Sequence, residues 1–495
     1  MTTFTRKILG LILAATAVVI LGGVTVSADM VGGLYITADD GGVLTSNDYS
    51  INGDNLNILS DRPMTLKNVT PEPIETRIDA SNASNVNLTL DGVNIVNICA
   101  FYIYDNCYRN VTITLADGSE NTLVSTNHGN NAGIRKNGIS DSVGKLTIKG
   151  GPLGTGRLNV TGAEYAAGIG GSNQNGTRNI EISGGIVNAT GGTAMFSAGG
   201  AGIGGGHSGK GSNIVISGGT VTATGATGGA GIGGGTGGTG SDIYISGGNV
   251  IANGGGAGAG IGGGWNNGSN IVISGGNVIA NGGIDSSGIG GGLYGTGSDI
   301  YISGGNVIAN GGIGSTDMGG AGIGGGKNGT GSNIVISGGS VKAKGDENVP
   351  DISEAPTDGK GNKVYPTTLE TGVTQSASVA LNGGEKKTYV MHPEETKLYF
   401  WLPVGKATAV YDGAGYEADV KETGTNVFEK LFEMGDLNGD GRITVSDIVM
   451  MKRVIASGKP DDITGCNAAA ADVDGNGAYT VADILEIKRL IANAG

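Results

Sequence analysis

Short apolar pairs recur along the middle of this chain with a steady beat. The phrase Asn/Asp-I-x-I-S-G-G starts at Asn179, Asn213, Asp242, Asn270, Asp299 and Asn333. After each copy comes another short stretch, such as N-V-I-A-N-G-G at 249–255. A second series, G-I-G-G, runs in step, with isoleucines at 169, 203, 232, 261, 289 and 323, spaced by 34, 29, 29, 28 and 34 residues. In I-x-I the two isoleucines point one way and the middle residue the other. One unit is therefore three short strands closed by glycine-rich corners.

A single unit has too few apolar side chains to offset the conformational entropy of ordering it. Stacked units pair strand on strand and isoleucine on isoleucine, so the pattern predicts a parallel β-helix stabilised by nearest-neighbour contacts. Right-handed winding follows from the handedness of parallel crossovers. The Asn or Asp before each I-x-I is placed to form a ladder along one corner. The two longer repeats carry extra residues near 193–198 and 313–318, both just before G-A-G-I-G-G-G. Less regular coils upstream (V-N-L-T-L-D-G-V-N-I at 86–95, V-T-I-T-L-A-D-G at 111–118, K-L-T-I-K-G-G at 145–151) extend the solenoid to residues 29–345.

The flanks read differently. Arg6 and Lys7 precede an apolar run from Ile8 to Val26, closed by small residues before Asp29, which reads as an export signal over 1–28, with a membrane anchor as the alternative. Residues 346–362, acidic and interrupted by Pro350 and Pro356, read as a linker. Residues 363–431 hold short alternating strands, with Leu398, Phe400 and Leu402 on one face, and form a small β module.

The chain of 495 residues has 101 glycines, about a fifth against a usual ~7%, and only the periodicity argues against disorder. A net charge of −14 argues against nucleic acid. Three cysteines make no disulfide framework: Cys99 and Cys107 are a candidate pair that spacing alone does not establish, and Cys466 is left over.

The C-terminus carries D-L-N-G-D-G-R-I-T-V-S-D at 436–447 and D-V-D-G-N-G-A-Y-T-V-A-D at 472–483. A calcium loop needs oxygens at positions 1, 3, 5, 7, 9 and 12 and a glycine at 6. The first loop offers Asp436, Asn438, Asp440, the carbonyl of Arg442, Thr444 through water, and Asp447, with Gly441 at the turn. The second offers Asp472, Asp474, Asn476, the carbonyl of Ala478, Thr480 and Asp483, with Gly477. Each loop runs into an amphipathic helix, but little room for a helix precedes Asp472, so these are loop–helix units and not EF-hands. Two Ca2+ ions are expected to drive the fold of this segment.

The duplicated loop–helix over 432–495, with Lys452-Arg453 and Lys488-Arg489 at matching points, resembles a type I dockerin. The resemblance implies docking on a cohesin module of a scaffold protein, as in a cellulosome. By that analogy the contacts are Val445, Ser446, Lys452 and Arg453, and Val481, Ala482, Lys488 and Arg489, and either helix can face the partner. Val-Ser and Val-Ala stand where a well-known specificity class has paired hydroxyls. More loosely, V-T-I-T-L-A-D-G-S-E-N-T-L (111–123) and the G-A-G-I-G-G-G coils resemble exported bacterial carbohydrate-binding parallel β-helix proteins, a likeness that speaks more to fold than to ligand.

Candidate sugar-binding aromatics are Tyr244 and Tyr301, at the outward position of I-x-I two coils apart, and Trp265 and Tyr294, in the corner after G-I-G-G-G. His207 and Lys327 hold equivalent corner places, and Tyr399 and Trp401 are a further pair in the module. Three classes compete: a polysaccharide-binding subunit, a polysaccharide lyase or glycoside hydrolase, and a passive spacer. Charge is sparse in the regular coils and their near-identity disfavours one asymmetric active site. The irregular region 29–165 offers Asp105, Arg109, Asp117, Glu120 and Arg135.

Overall fold

The computed structural model describes residues 15–21, 24–126, 130–194, 198–314, 319–347 and 349–493. The chain divides into two compact units, at Pro356 and Thr357.

The first unit is a parallel β-helix with three sheets along its length. The I-x-I strands stack in register, Ile180 on Ile214, Ile243, Ile271, Ile300 and Ile334 in turn. The G-I-G-G isoleucines form a second column from Ile169 to Ile323. A third column joins Val187, Val221, Val250, Val278, Val307 and Val341. All three point inward and are buried, so the core is a bundle of identical side chains stacked along the helix axis.

The predicted corner ladder is present, and backbone geometry explains its residue types. Asn179, Asn213, Asp242, Asn270, Asp299 and Asn333 all have φ between 47° and 60°. This left-handed region costs most residues more than it costs Asn, Asp or Gly. The side chains then bond coil to coil: Asn213 Nδ2 donates to Asn179 Oδ1 at 2.6 Å, Asn270 to Asp242 at 2.7 Å and Asn333 to Asp299 at 2.7 Å. The next corner needs glycine for a second reason. At Gly248 φ is 85°, and a Cβ would lie 2.7 Å from the Gly219 carbonyl oxygen of the preceding coil.

Both ends of the solenoid are covered by chain of a different kind. At the N-terminal end Val24–Val31 lies antiparallel between Ala15–Leu21 and Leu34–Ala38. Of the expected export signal, residues 1–14 and 22–23 lie outside the described residues. Cleavage after Ala28 would remove Ala15–Leu21 and its pairing, and would keep only the pairs of Asp29–Val31 to Leu34–Ile36. At the other end the sequence assigns 346–362 to a linker, yet Ile352 bridges Ile323 and is buried. Ile323 N donates to Asp351 O and Ser353 N to Ile323 O, so the start of that segment is a last partial rung. Of the two longer corners, the first is bridged by Thr193 and Gly199; residues 195–197 and 315–318 lie outside the described set.

The second unit holds a three-stranded and a five-stranded sheet around Leu369, Val379, Tyr389, Leu398, Phe400 and Phe428. Leu398 and Phe400 face inward as their alternation predicts. The terminal loops belong to the same compact unit. The strand Glu429–Glu433 ends two residues before the first loop, and Met434 N donates to Gly413 O of the module. All three cysteines are free. No helix among the described residues is long and apolar enough to cross a membrane.

One buried charge sits in the irregular coils. Lys136 is enclosed, with Nζ donating to Arg178 O at 2.6 Å, and burial pushes its ammonium down to about 7. The unfolded chain keeps that proton up to about pH 10.4. Unfolding is therefore linked to proton uptake between about 7 and 10, and stability rises with pH across that window. Lys136→Met should stabilise the protein at pH 7 by on the order of 2–4 kcal/mol, with the gain shrinking toward pH 10. Urea midpoints of both proteins at the two pH values check this; equal differences at both would exclude it.

Candidate functional site

Each terminal loop is a tight coil of chain folded around its own carboxylates. In the first, Asp447 is fully buried: Oδ1 accepts from Leu437 N (2.8 Å) and Asn438 N (3.1 Å), and Oδ2 from Thr444 N (2.8 Å). Asp436 accepts from Asp440 N at 3.1 Å and Gly441 N at 2.8 Å. The second loop repeats this: Asp483 accepts from Val473 N, Asp474 N and Thr480 N, and Asp472 from Asn476 N and Gly477 N. Gly441 and Gly477 take φ of 80° and 79°, the sharp turn that position 6 requires.

These groups fit a hard divalent cation. The carboxylates of Asp472, Asp474 and Asp483 bring oxygens within 4.8 Å of one another. Among the described residues none of the six loop aspartates forms an ion pair with Lys or Arg. Like charges this close repel, and a cation shared among them relieves that repulsion. Asp436, Asn438, Asp440, the Arg442 carbonyl, Thr444 and Asp447 would hold one Ca2+, and Asp472, Asp474, Asn476, the Ala478 carbonyl, Thr480 and Asp483 the other.

The loops lead into α1 (Val445–Ser457) and α2 (Val481–Asn493). Thr444 caps α1 with a capping box to Asp447, and Gly458 closes it in the left-handed conformation. Ile448, Met451 and Val454 of α1 pack with Ile484 and Ile487 of α2, Leu437 and Ala471. The opposite faces are exposed and nearly identical. Val445, Ser446, Lys452 and Arg453 lie on one, and Val481, Ala482, Lys488 and Arg489 on the other. The sequence reading missed Val449 and Leu485, exposed one turn after Val445 and Val481. Their signal is an apolar residue at i+4 on the face away from the core.

Residues 434–492 match the dockerin type I domain, and residues 180–207, 214–236, 243–265, 271–293 and 300–327 match the beta helix repeat. The C-terminal segment is a type I dockerin. Comparison with curated proteins and with solved structures returned no match. A dockerin binds cohesin modules, and type I dockerins bind calcium.

The aromatic candidates fall in two settings. Tyr244 pairs in register with Val215 and Val272, and Tyr301 with Val272 and Val335. Asn270 Nδ2 donates to the Tyr244 hydroxyl at 3.1 Å and Asn333 Nδ2 to that of Tyr301 at 2.6 Å. Each hydroxyl is thus tied to the ladder asparagine of the following coil, and each tyrosine is half-buried. Trp265 and Tyr294 are more open, 39% and 66% exposed, on adjacent coils joined by Tyr294 N to Trp265 O. The indole lies against Gly228, where a Cβ would be 2.6 Å from Nε1. His207 instead packs on Tyr165, and Lys327 approaches Asp285 at 3.7 Å. In the module the Tyr399 hydroxyl reaches Glu395.

The candidate charges of the irregular coils are drawn into separate contacts. Arg135 and Asp105 meet at 2.7 Å, whereas Asp117 accepts from Leu153 N and Thr155 N, Glu120 accepts from Asn159, and Arg109 donates to Ser81 O. Asp242 and Asp299 are ladder residues.

Helices of thirteen residues are marginal alone, so α1 and α2 depend on their loops and shared core. Chelating calcium from the full chain should remove much of the helical signal at 222 nm, and added Ca2+ should restore it. Asp483→Ala should raise the Ca2+ needed for that recovery at least tenfold. A helical signal indifferent to chelator would rule out metal as what holds these loops.

Proposed function

We propose that this is a secreted cellulosome-type component whose dockerin docks on a scaffold cohesin, at the cell surface or free, and whose β-helix binds plant cell-wall polysaccharide. The observation that carries the docking half is the matched pair of exposed helix faces on a type I dockerin. Each offers an apolar strip, Val445 and Val449 or Val481 and Leu485, beside a Lys-Arg pair. The end of each calcium loop opens its face, with Val445 and Ser446 or Val481 and Ala482 belonging to both.

Exposed aromatic rings on a rigid scaffold support the polysaccharide half. Trp265 and Tyr294 offer open rings at a corner, and Tyr244 and Tyr301 offer fixed rings about 10 Å apart, two coils at the usual strand spacing. A ring that need not be ordered on binding loses less entropy when a sugar stacks on it. The scattering of carboxylates into separate ladders and ion pairs favours binding over hydrolysis or elimination, which need converging groups.

The test uses the mature chain, residues 29–495, mixed with insoluble cellulose, xylan or pectin. Selective depletion from the supernatant is expected, with Trp265→Ala and Tyr294→Ala reducing it; no depletion by any polymer would sink the carbohydrate reading. For docking, Lys452→Ala with Arg453→Ala, or the equivalent pair in α2, should each leave cohesin capture largely intact, and the four together should abolish it. Capture that survives all four changes would mean the contact lies elsewhere.

A further inference from the structure

The second sheet of the solenoid changes character along its length. In the regular coils its strand is Ile-Gly, and the outward position is a buried glycine: Gly170, Gly204, Gly233, Gly262, Gly290 and Gly324. No side chain there can meet a ligand. In the preceding coils the same column reads Asn57, Asp79, Tyr102, Arg135, and Arg135 pairs in turn with Gly170. A polar and aromatic patch therefore stands only on the irregular coils.

The patch is a connected network. The guanidiniums of Arg77 and Arg135 lie 4.9 and 4.8 Å from the Tyr102 ring centre, from the coils on either side. Arg135 Nη2 donates to both Asp105 oxygens, at 2.8 and 2.7 Å, and Nη1 to Asn131 Oδ1 at 3.0 Å. Arg77 approaches Asp79 at 3.6 Å. Tyr102 meets Tyr104 edge-on, centroids 6.5 Å apart and planes at 84°. Tyr104 N is fixed by Ser81 Oγ at 2.8 Å, and Arg109 ties the same segment to Ser81 O.

Tyr102 already packs both guanidiniums, so Tyr104 adds nothing to the core. Tyr104 is 61% exposed and precedes the carboxylate of a carboxylate–guanidinium pair, Asp105 and Arg135. An aromatic face next to fixed hydrogen-bonding groups suits a pyranose or furanose ring: the C–H face lies on the aromatic ring and the hydroxyls meet the polar pair. We propose that Tyr104, Asp105 and Arg135 form a sugar-binding subsite, separate from the Trp265–Tyr294 corner, that takes a neutral sugar unit of a polysaccharide. This rests on the reading of the solenoid as carbohydrate-binding.

Charge decides for a neutral unit. Two guanidiniums face two carboxylates, and the Arg135 fork is occupied by Asp105 and Asn131. A uronate would find the Arg135 fork taken and would meet the Asp105 carboxylate. Sugar hydroxyls, by contrast, can donate to Asp105, whose two oxygens keep further acceptor sites after receiving Arg135.

The experiment is calorimetric titration of the full mature chain with xylo-oligosaccharides, cello-oligosaccharides and oligogalacturonate. Neutral oligosaccharide should bind the wild type, and Tyr104→Ala should weaken it about tenfold with an unchanged melting temperature. Asp105→Ala should weaken neutral binding and create binding of oligogalacturonate, because it removes the acceptor that holds Arg135 Nη2. Undiminished binding by Tyr104→Ala, with loss in Trp265→Ala, would overturn this subsite and leave the carbohydrate reading standing. Preference of the wild type for oligogalacturonate would overturn the neutral-sugar assignment. Absence of binding to any oligosaccharide, together with no depletion by the polymers, would overturn both.

Discussion

In-register stacking is the constraint from which the rest of the solenoid follows. A coil of 28 or 29 residues cannot bury its isoleucines unless another coil lies on each side. Register must then hold, since a slip of one residue would turn Ile243 and Ile245 outward and bring Tyr244 into the core. The corner residues enforce it. Asn or Asp in the left-handed conformation turns the chain at one fixed place per coil, and its side chain ties that place to its neighbour. Glycine holds the next corner because the preceding coil's carbonyl occupies the space of a Cβ.

Electrostatics is the corresponding constraint at the other end of the chain. The dockerin's core is small, and its two helices start from loops made of mutually repelling carboxylates. Asp447 and Asp483 are buried by the same backbone amides that cap the loops, so the shape of each loop and its appetite for a cation are one arrangement. The sheet module and dockerin share one compact unit, with strand Glu429–Glu433 leading almost directly into Asp436.

Periodic features were legible in the sequence because repetition multiplies a weak signal. The three strands of each coil, the ladder and the two loops all recur, and each recurrence tests the last. Features that occur once were harder to see. The rung at Ile352 is hidden in a proline-containing acidic stretch whose composition resembles a linker, and only pairing with Ile323 reveals it. Arg77, Asp79, Tyr102 and Tyr104 lie 31 or more residues before Arg135, and no local spacing links them. Val449 and Leu485 were visible as apolar residues, but their exposure depends on which helix face the shared core occupies.

The nearest-neighbour construction also makes the length of this protein a quantised property. Coils such as those carrying Val215, Tyr244, Val272 and Tyr301 present the same edge above and below. Removing or adding a whole coil therefore leaves two matching edges to rejoin, while losing part of one leaves strands with mismatched partners. Reach along the axis changes in steps of about 4.8 Å. An alternation of valine and tyrosine survives such changes only when coils come and go in pairs.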